Sequence, residues 1–212
     1  WVNCSGTLIR PTVVLTAAHC VADSTIDRVH FGATPYEGGG VDVAVTSQIG
    51  HPDFADAWFD LEEGGGDLND LAVLFLAEPG PVPPVREFDD GPDRILGEDA
   101  TLVGYGLSSS QGGAGVKREA TITLNHVAGD MLVGGSGDGN ACSGDSGGST
   151  YVDLPWGQEV IGATSFGYGL SCDGTNGMGT VLVSHHLGWL HELAGDPPDR
   201  PEGWGWDDSI NR

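Results

Sequence analysis

The chain is poor in positive charge: 8 Lys and Arg stand against 31 Asp and Glu in 212 residues, a formal net charge of −23 at pH 7. A negative field of that size repels phosphate backbones and anionic lipid, which argues against nucleic acid and membrane surfaces as partners. Long apolar runs are lacking too. No stretch approaches the roughly 20 residues that span a bilayer, and no basic start followed by an apolar core reads as a signal peptide. The sequence therefore reads as that of a soluble chain, with any export signal removed or not included. Closely spaced cysteine pairs are also missing, which disfavours zinc. The acidic stretch with Asp53, Asp56, Asp60, Glu62 and Glu63 lacks the fixed alternation of an EF-hand, so it reads as an exposed insertion rather than a calcium site. No metal or cofactor is expected.

Glycine, by contrast, is abundant. Thirty-six glycines, many short Val/Ile/Leu/Thr runs and frequent turn residues favour strands over helices. The length suits one large all-β unit or two small barrels. Four cysteines are an even number, which fits two disulfides in an oxidising compartment and leaves three pairings open. The scattered acidic residues make a strongly solvated surface that resists association, so a monomer is expected.

The stretch that organises the rest is Ala141 to Ser149, ACSGDSGGS. Ser146 lies among Gly144, Asp145, Gly147 and Gly148, where the backbone can turn sharply and another molecule can approach closely. A serine hydroxyl becomes a nucleophile only beside a base that a third group orients, with N–H donors aimed at the oxygen that turns negative. LTAAHC supplies His19, and NDLAVLFL supplies Asp70 immediately before an apolar run. Asp67 is the neighbour most easily mistaken for it. The remaining histidines, His30, His51, His126, His185, His186 and His191, read as structural.

These segments, in the order histidine, aspartate, serine, resemble the trypsin-like (chymotrypsin-fold) serine peptidases, from Cys4 to the neighbourhood of Leu193. The resemblance implies an all-β fold of two antiparallel six-stranded barrels with a C-terminal helix. It also implies disulfides Cys4 with Cys20 and Cys142 with Cys172, the first bracing the histidine loop at roughly 3 kcal/mol. His19, Asp70 and Ser146 would form the catalytic set, and the N–H groups of Gly144 and Ser146 the oxyanion hole. Ser165-Phe166-Gly167 matches the family's substrate-binding strand, with Phe166 where tryptophan is usual. Asn140 takes the floor of the specificity pocket, and Gly167 and Gly177 its walls. A neutral floor departs from the aspartate that selects Lys or Arg, unless Asp138 or Asp173 reaches the pocket. Gly179 stands where many relatives carry tyrosine, which would enlarge or reshape the cavity. Family members normally carry a preceding first strand and a freed amino terminus that pairs with the position of Asp145. The sequence starts at Trp1, so a fragment or a different activation device is expected, with Asp145 lacking an identified partner.

Strands are expected over Ser5–Ile9, Thr12–Thr16, Asp27–Phe31, Val41–Ile49, Leu71–Leu76, Ala100–Gly106, Ala120–Leu124, Met131–Val133, Thr150–Val152, Val160–Ser165 and Gly177–Val183. A turn is expected around Pro155-Trp156-Gly157. Leu187, Leu190 and Leu193 recur at helical spacing and predict a helix over Ser184–Ala194. Glu78 to Gly97, rich in proline and charge, reads as a linker. The resulting division is 1–95 with His19 and Asp70, 96–183 with Ser146, and 184–212 as helix and irregular tail, where Trp204 and Trp206 could dock. The function implied is a secreted serine endopeptidase acting on polypeptide. The alternatives are a protease-like binding domain, a zymogen-like inactive form, and an esterase using the same acyl transfer.

Overall fold

The computed structural model describes residues 4–55, 68–109, 112–134, 140–167, 172 and 177–200. Twelve strands lie among them: β1 Thr7–Arg10, β2 Val13–Thr16, β3 Arg28–Phe31, β4 Val41–Gly50, β5 Ala72–Leu76, β6 Arg86–Glu87, β7 Asp99–Gly104, β8 Arg118–Ala128, β9 Met131–Gly134, β10 Ser149–Leu154, β11 Gly157–Gly167 and β12 Met178–Leu182. Two short helices join them, α1 at His19–Ala22 and α2 at Leu187–Ala194.

The strands form two sheets. The first has five strands in the order β1-β2-β5-β4-β3, an open half-barrel. In the second, β10-β7-β8-β9-β12-β11 closes on itself through the β10–β11 pairing, and β6 adds in parallel to β11. One half-barrel, one closed six-stranded barrel and a short C-terminal helix are the chymotrypsin fold. Among the described residues the first unit thus has five strands where a six-stranded barrel was expected.

Side-chain alternation explains where the cores lie. Successive residues of a strand face opposite ways, and β2 and β5 are apolar on both faces because both faces are covered. Val13 and Leu15 of β2 join Val73 of β5 in a core shared with Met131, Val160, Ala163 and Val181 of the second barrel. Val14, Ala72, Leu74 and Leu76 turn the other way into the interior of the half-barrel. A separate core fills the closed barrel, with Leu102, Ile122, Leu124, Ile161 and Leu182. The apolar seam between the units brings the ends of β2 and β5 against the second barrel, where the candidate residues gather.

Three expectations change in detail. The β8 strand runs from Arg118 to Ala128, longer than its apolar centre, because hydrogen-bonded pairing continues where side chains face solvent. The residues after β12 form a 3-10 turn at Val183–His185 before α2 starts at Leu187, so the regular helix covers the spaced leucines but begins after the expected Ser184. The proline-rich stretch after Glu78 is docked along the second barrel. Its β6 pairs with Glu159 and Val160, Phe88 is fully buried in the closed-barrel core, and Arg10 meets the buried Glu87 at 2.8 Å. Two residues, Pro155 and Trp156, turn β10 into β11 where a turn was expected. Among the described residues no helix is long and apolar enough to cross a membrane.

Candidate active site

The small residues Ala17 and Ala18 are buried at the end of β2 and allow α1 to begin against the sheet, which puts His19 at the seam. Asp70 precedes β5 in a tight turn. Asn69 takes φ +52°, a conformation asparagine tolerates better than most side chains, and Leu71 N–H donates to the Asn69 carbonyl at 2.8 Å. Asp70 is 2% exposed, a costly place for a carboxylate unless its oxygens are hydrogen-bonded. They are. Oδ1 accepts the His19 backbone N–H at 2.8 Å, and Oδ2 lies 2.7 Å from His19 Nδ1 and accepts Ser165 Oγ–H at 2.6 Å. An Nδ1–H held by a carboxylate makes Nε2 the basic nitrogen of the ring. The His19 side chain keeps 34% of its surface exposed, so the buried carboxylate orients an imidazole that solvent and ligands reach.

Ser146 lies on a loop tied to both units. Its carbonyl accepts the Ser5 N–H at 2.7 Å and sits 3.8 Å from Cys20 Sγ, next in sequence to His19. Ser5 also donates its hydroxyl to the Gly144 carbonyl at 3.0 Å and accepts the Tyr105 N–H at 3.0 Å. Gly144 and Gly147 have φ of +96° and +75°. A Cβ on Gly147 would fall 2.6 Å from the Ser5 carbonyl oxygen and 2.8 Å from Ala17 N, so only glycine fits this turn. Asp145, expected to lack a partner, accepts Gly106 N–H at 2.8 Å through Oδ1 and Cys142 N–H at 2.9 Å through Oδ2. Burial pushes its carboxyl above the ordinary aspartate value, a rise that these two bonds and the field of Arg118 oppose.

Both disulfides join the partners that the family resemblance implied, Cys4 to Cys20 and Cys142 to Cys172. The first closes the approach to His19, and the second anchors the start of the Ser146 loop. Cys4, His19 and Cys20 lie within metal-binding distance of one another, but both sulfurs are consumed by the disulfide and neither is a thiolate ligand.

Of the residues assigned to substrate, Ser165, Phe166 and Gly167 end β11. Phe166 pairs with Gly179 and Gly167 with Met178 of β12. The β10 pairing stops at Ser149 with Ala163, so past Thr164 the opposite edge of this segment carries no strand among the described residues. Asn140 accepts the Ala141 N–H through Oδ1 at 2.9 Å, while its Nδ2 is buried without a hydrogen-bond partner among the described residues. A Cβ on Gly179 would meet the Phe166 ring at 2.5 Å and the Met131 methyl at 2.6 Å. The space released by glycine there is taken by those two side chains. Gly177 is half-buried. Asp67, Asp138, Asp173, the acidic insertion beyond Asp53, and Trp204 and Trp206 lie outside the described residues.

Sequence reasoning missed two contacts. It placed Ser165 on the substrate strand but not on Asp70, 95 residues earlier. It also did not single out Asp130, which accepts N–H groups of the two residues before Asp70 and lies 3.1 Å from Nε2 of His186, a histidine read as structural. An aspartate after a glycine in a hairpin turn gives no local sign of this; the apolar setting of His186 is the only hint.

Comparison with known proteins agrees with the geometry. The profile of the family described as Trypsin matches residues 2–189. The chain is 31% identical to chymotrypsin-C of Bos taurus, over 90% of this chain and 77% of that protein. It is 29% identical to CLIP domain-containing serine protease B10 of Anopheles gambiae over 90% of this chain and 61% of that protein. Against vitamin K-dependent protein C of Mus musculus the identity is 28%, over 91% of this chain and 46% of that protein. The chain thus spans about half to three fifths of the length of the last two relatives. With its fold, its paired disulfides and this match across nearly its whole length, the chain belongs to the trypsin family, whose matching relatives are trypsin-like serine proteases.

Proposed function

We propose that this chain is a secreted serine endopeptidase that hydrolyses peptide bonds through an acyl-enzyme formed on Ser146. The observation that carries the reading is the imidazole of His19 held by the buried Asp70 carboxylate at 2.7 Å, one residue from the cysteine that packs against the Ser146 carbonyl. In the first half-reaction Ser146 Oγ attacks the peptide carbonyl carbon and its proton passes to His19 Nε2. The imidazolium, stabilised by Asp70, then donates that proton to the departing amine. Water enters in the second half-reaction, again deprotonated by His19, and the imidazolium returns that proton to Ser146 Oγ as the ester bond breaks to release the acid.

The Gly144 and Ser146 N–H groups serve as oxyanion donors, a role worth about 2.7 to 4 kcal/mol per donor in the transition state. Two features support an organised hole. Ser5 holds the carbonyls on either side of Asp145, and the Asp145 carboxylate is already satisfied by Gly106 and Cys142. Substrate adds as an antiparallel strand on the open edge at Ser165, Phe166 and Gly167, where main-chain bonds supply affinity. Asn140, with Gly167 and Gly177, forms the pocket for one side chain. An amide floor with an unpartnered N–H donor cannot neutralise Lys or Arg, so an uncharged residue is favoured. Secretion accords with two disulfides, which persist in oxidising compartments, and a monomer with the acidic surface.

Labelling with a serine-directed fluorophosphonate and digestion of a peptide library test this together. The wild-type chain is expected to label stoichiometrically and to cut after uncharged residues, and Ser146→Ala to do neither. Undiminished cleavage by that variant would refute the assignment; a folded wild type that never labels favours a binding module.

A further inference from the structure

The segment that presents Asp70 is not held by the half-barrel alone. Asp130 sits between β8 and β9 in the closed barrel, 1% exposed. Its carboxylate crosses the seam to accept Leu68 N–H at 2.9 Å through Oδ1 and Asn69 N–H at 2.7 Å through Oδ2. Those are the two residues before Asp70. His186, at the start of α2, approaches the same carboxylate with Nε2 at 3.1 Å. On the other side of Asp70, the Leu71 carbonyl accepts His51 N–H at 2.9 Å, and the His51 ring meets that of His186 edge-on at 5.1 Å between centroids. The turn so enclosed contains the left-handed Asn69, a conformation that persists only when its surroundings impose it.

We propose that Asp130, oriented by His186, is a positioning residue for the Asp70–His19 couple. It fixes the backbone from which Asp70 projects, and so sets how closely that carboxylate meets the imidazole. The inference rests on reading His19 and Asp70 as the base and its orienting partner. One carboxylate engaging two successive N–H groups allows the turn little freedom to slide or rotate. The closed barrel thereby contributes a second anchor for Asp70, besides the Ser165 hydroxyl that binds the carboxylate directly. The titratable groups around this anchor are His186 on the α2 side, His51 at the end of β4, and Asp53, whose charge acts on His51.

The test is Asp130→Asn in the full chain, which keeps the shape but loses the negative charge and turns one accepting atom into a donor. A displacement of about 1 Å at a catalytic group costs on the order of 10²-fold in rate. The expected result is a fall of roughly that size in kcat with KM nearly unchanged. The acid limb of the kcat/KM profile should also move to lower pH, because a carboxylate no longer seated against the ring stabilises the imidazolium less. NMR titration of the His19 ring should show the same downward movement of its midpoint, and needs no turnover. A folded Asp130→Asn variant whose His19 midpoint stays where it is in the wild type overturns the proposal, whatever its rate. Should Asp130→Asn not fold, His186→Gln replaces it: a smaller shift of His19 in the same direction supports the proposal, and an unmoved midpoint overturns it. A wild type that never labels at Ser146, yet shows the shift on substitution, would sink the peptidase reading and leave the positioning role standing.

Discussion

Two aspartates in this molecule have nearly the same surroundings. Asp70 and Asp130 are both buried, each accepts backbone N–H, and each meets a histidine ring nitrogen, at 2.7 Å and 3.1 Å. They differ in the histidine. His19 keeps a third of its side chain exposed beside the Ser146 loop, whereas His186 is 6% exposed and packed against His51. The chemistry of the couple is the same, and access decides its use. An imidazole that substrate can reach is equipped to exchange protons, and a sealed one can only hold structure. The electrostatics of the sealed couple follow. Burial pushes the Asp130 carboxyl up, but the bonds from His186, Leu68 and Asn69 outweigh it and hold the group below the ordinary aspartate value. Burial together with the neighbouring His186 lowers the pKa of His51, against the opposing pull of Asp53 and Asp130.

If access separates the couples, substitution should separate them too. The largest effect belongs to the accessible one: Asp70→Asn should lower kcat by about 10⁴-fold with little change in substrate affinity, measured by steady-state kinetics on a cleaved peptide. A comparable loss of kcat from Asp130→Asn would erase the distinction.

The sealed couple should show itself in stability. Asp130→Ala strips one buried and one partly buried N–H group and a buried ring nitrogen of their acceptor, at about 1–3 kcal/mol each when buried, so a loss of about 3 kcal/mol is expected by chemical denaturation at neutral pH. Because the folded-state value of Asp130 lies below the unfolded one, its contribution is fully present above about pH 4. It declines as pH falls through the folded value, so the gap between wild type and variant should narrow at pH 3. A gap that stays constant on acidification would show that the charge contributes nothing.

The smallest effect concerns the link between the regions. Ser165→Ala removes one hydrogen bond to a charged acceptor, worth about 1.5–3 kcal/mol. Part of this should be restored by rearrangement around Asp70, leaving a fall of roughly tenfold in kcat/KM and a stability change under about 1 kcal/mol. If stability falls as steeply as for Asp130→Ala, Ser165 belongs with the sealed couple instead.

Much of the site was legible because its signals are local. ACSGDSGGS marks itself by glycines that allow a sharp turn, and NDLAVLFL by a carboxylate set against a continuous apolar run. The order of these two with LTAAHC carried the family, and the family carried the cysteine pairing. What stayed hidden depends on residues far apart in the chain. Asp130 lies 62 positions from Leu68, Ser165 lies 95 from Asp70, and Gly106 lies 39 from Asp145. A turn aspartate or a strand serine looks the same whether its side chain meets water or a distant backbone. The docking of Arg86, Glu87 and Phe88 on the closed barrel was hidden likewise, since proline and charge suggest a linker until the edge of β11 is there to receive it.

By itself, then, the sequence determined the strand-rich architecture, the chemical types available at the site and the turns that require glycine, because backbone sterics and side-chain alternation act over a few residues. Only the tertiary structure decided that Asp130 faces His186, which couple is open and which is sealed, and what satisfies Asp145. Those outcomes depend on packing one barrel against the other, where burial makes an unpartnered carboxylate costly and distance along the chain no longer matters.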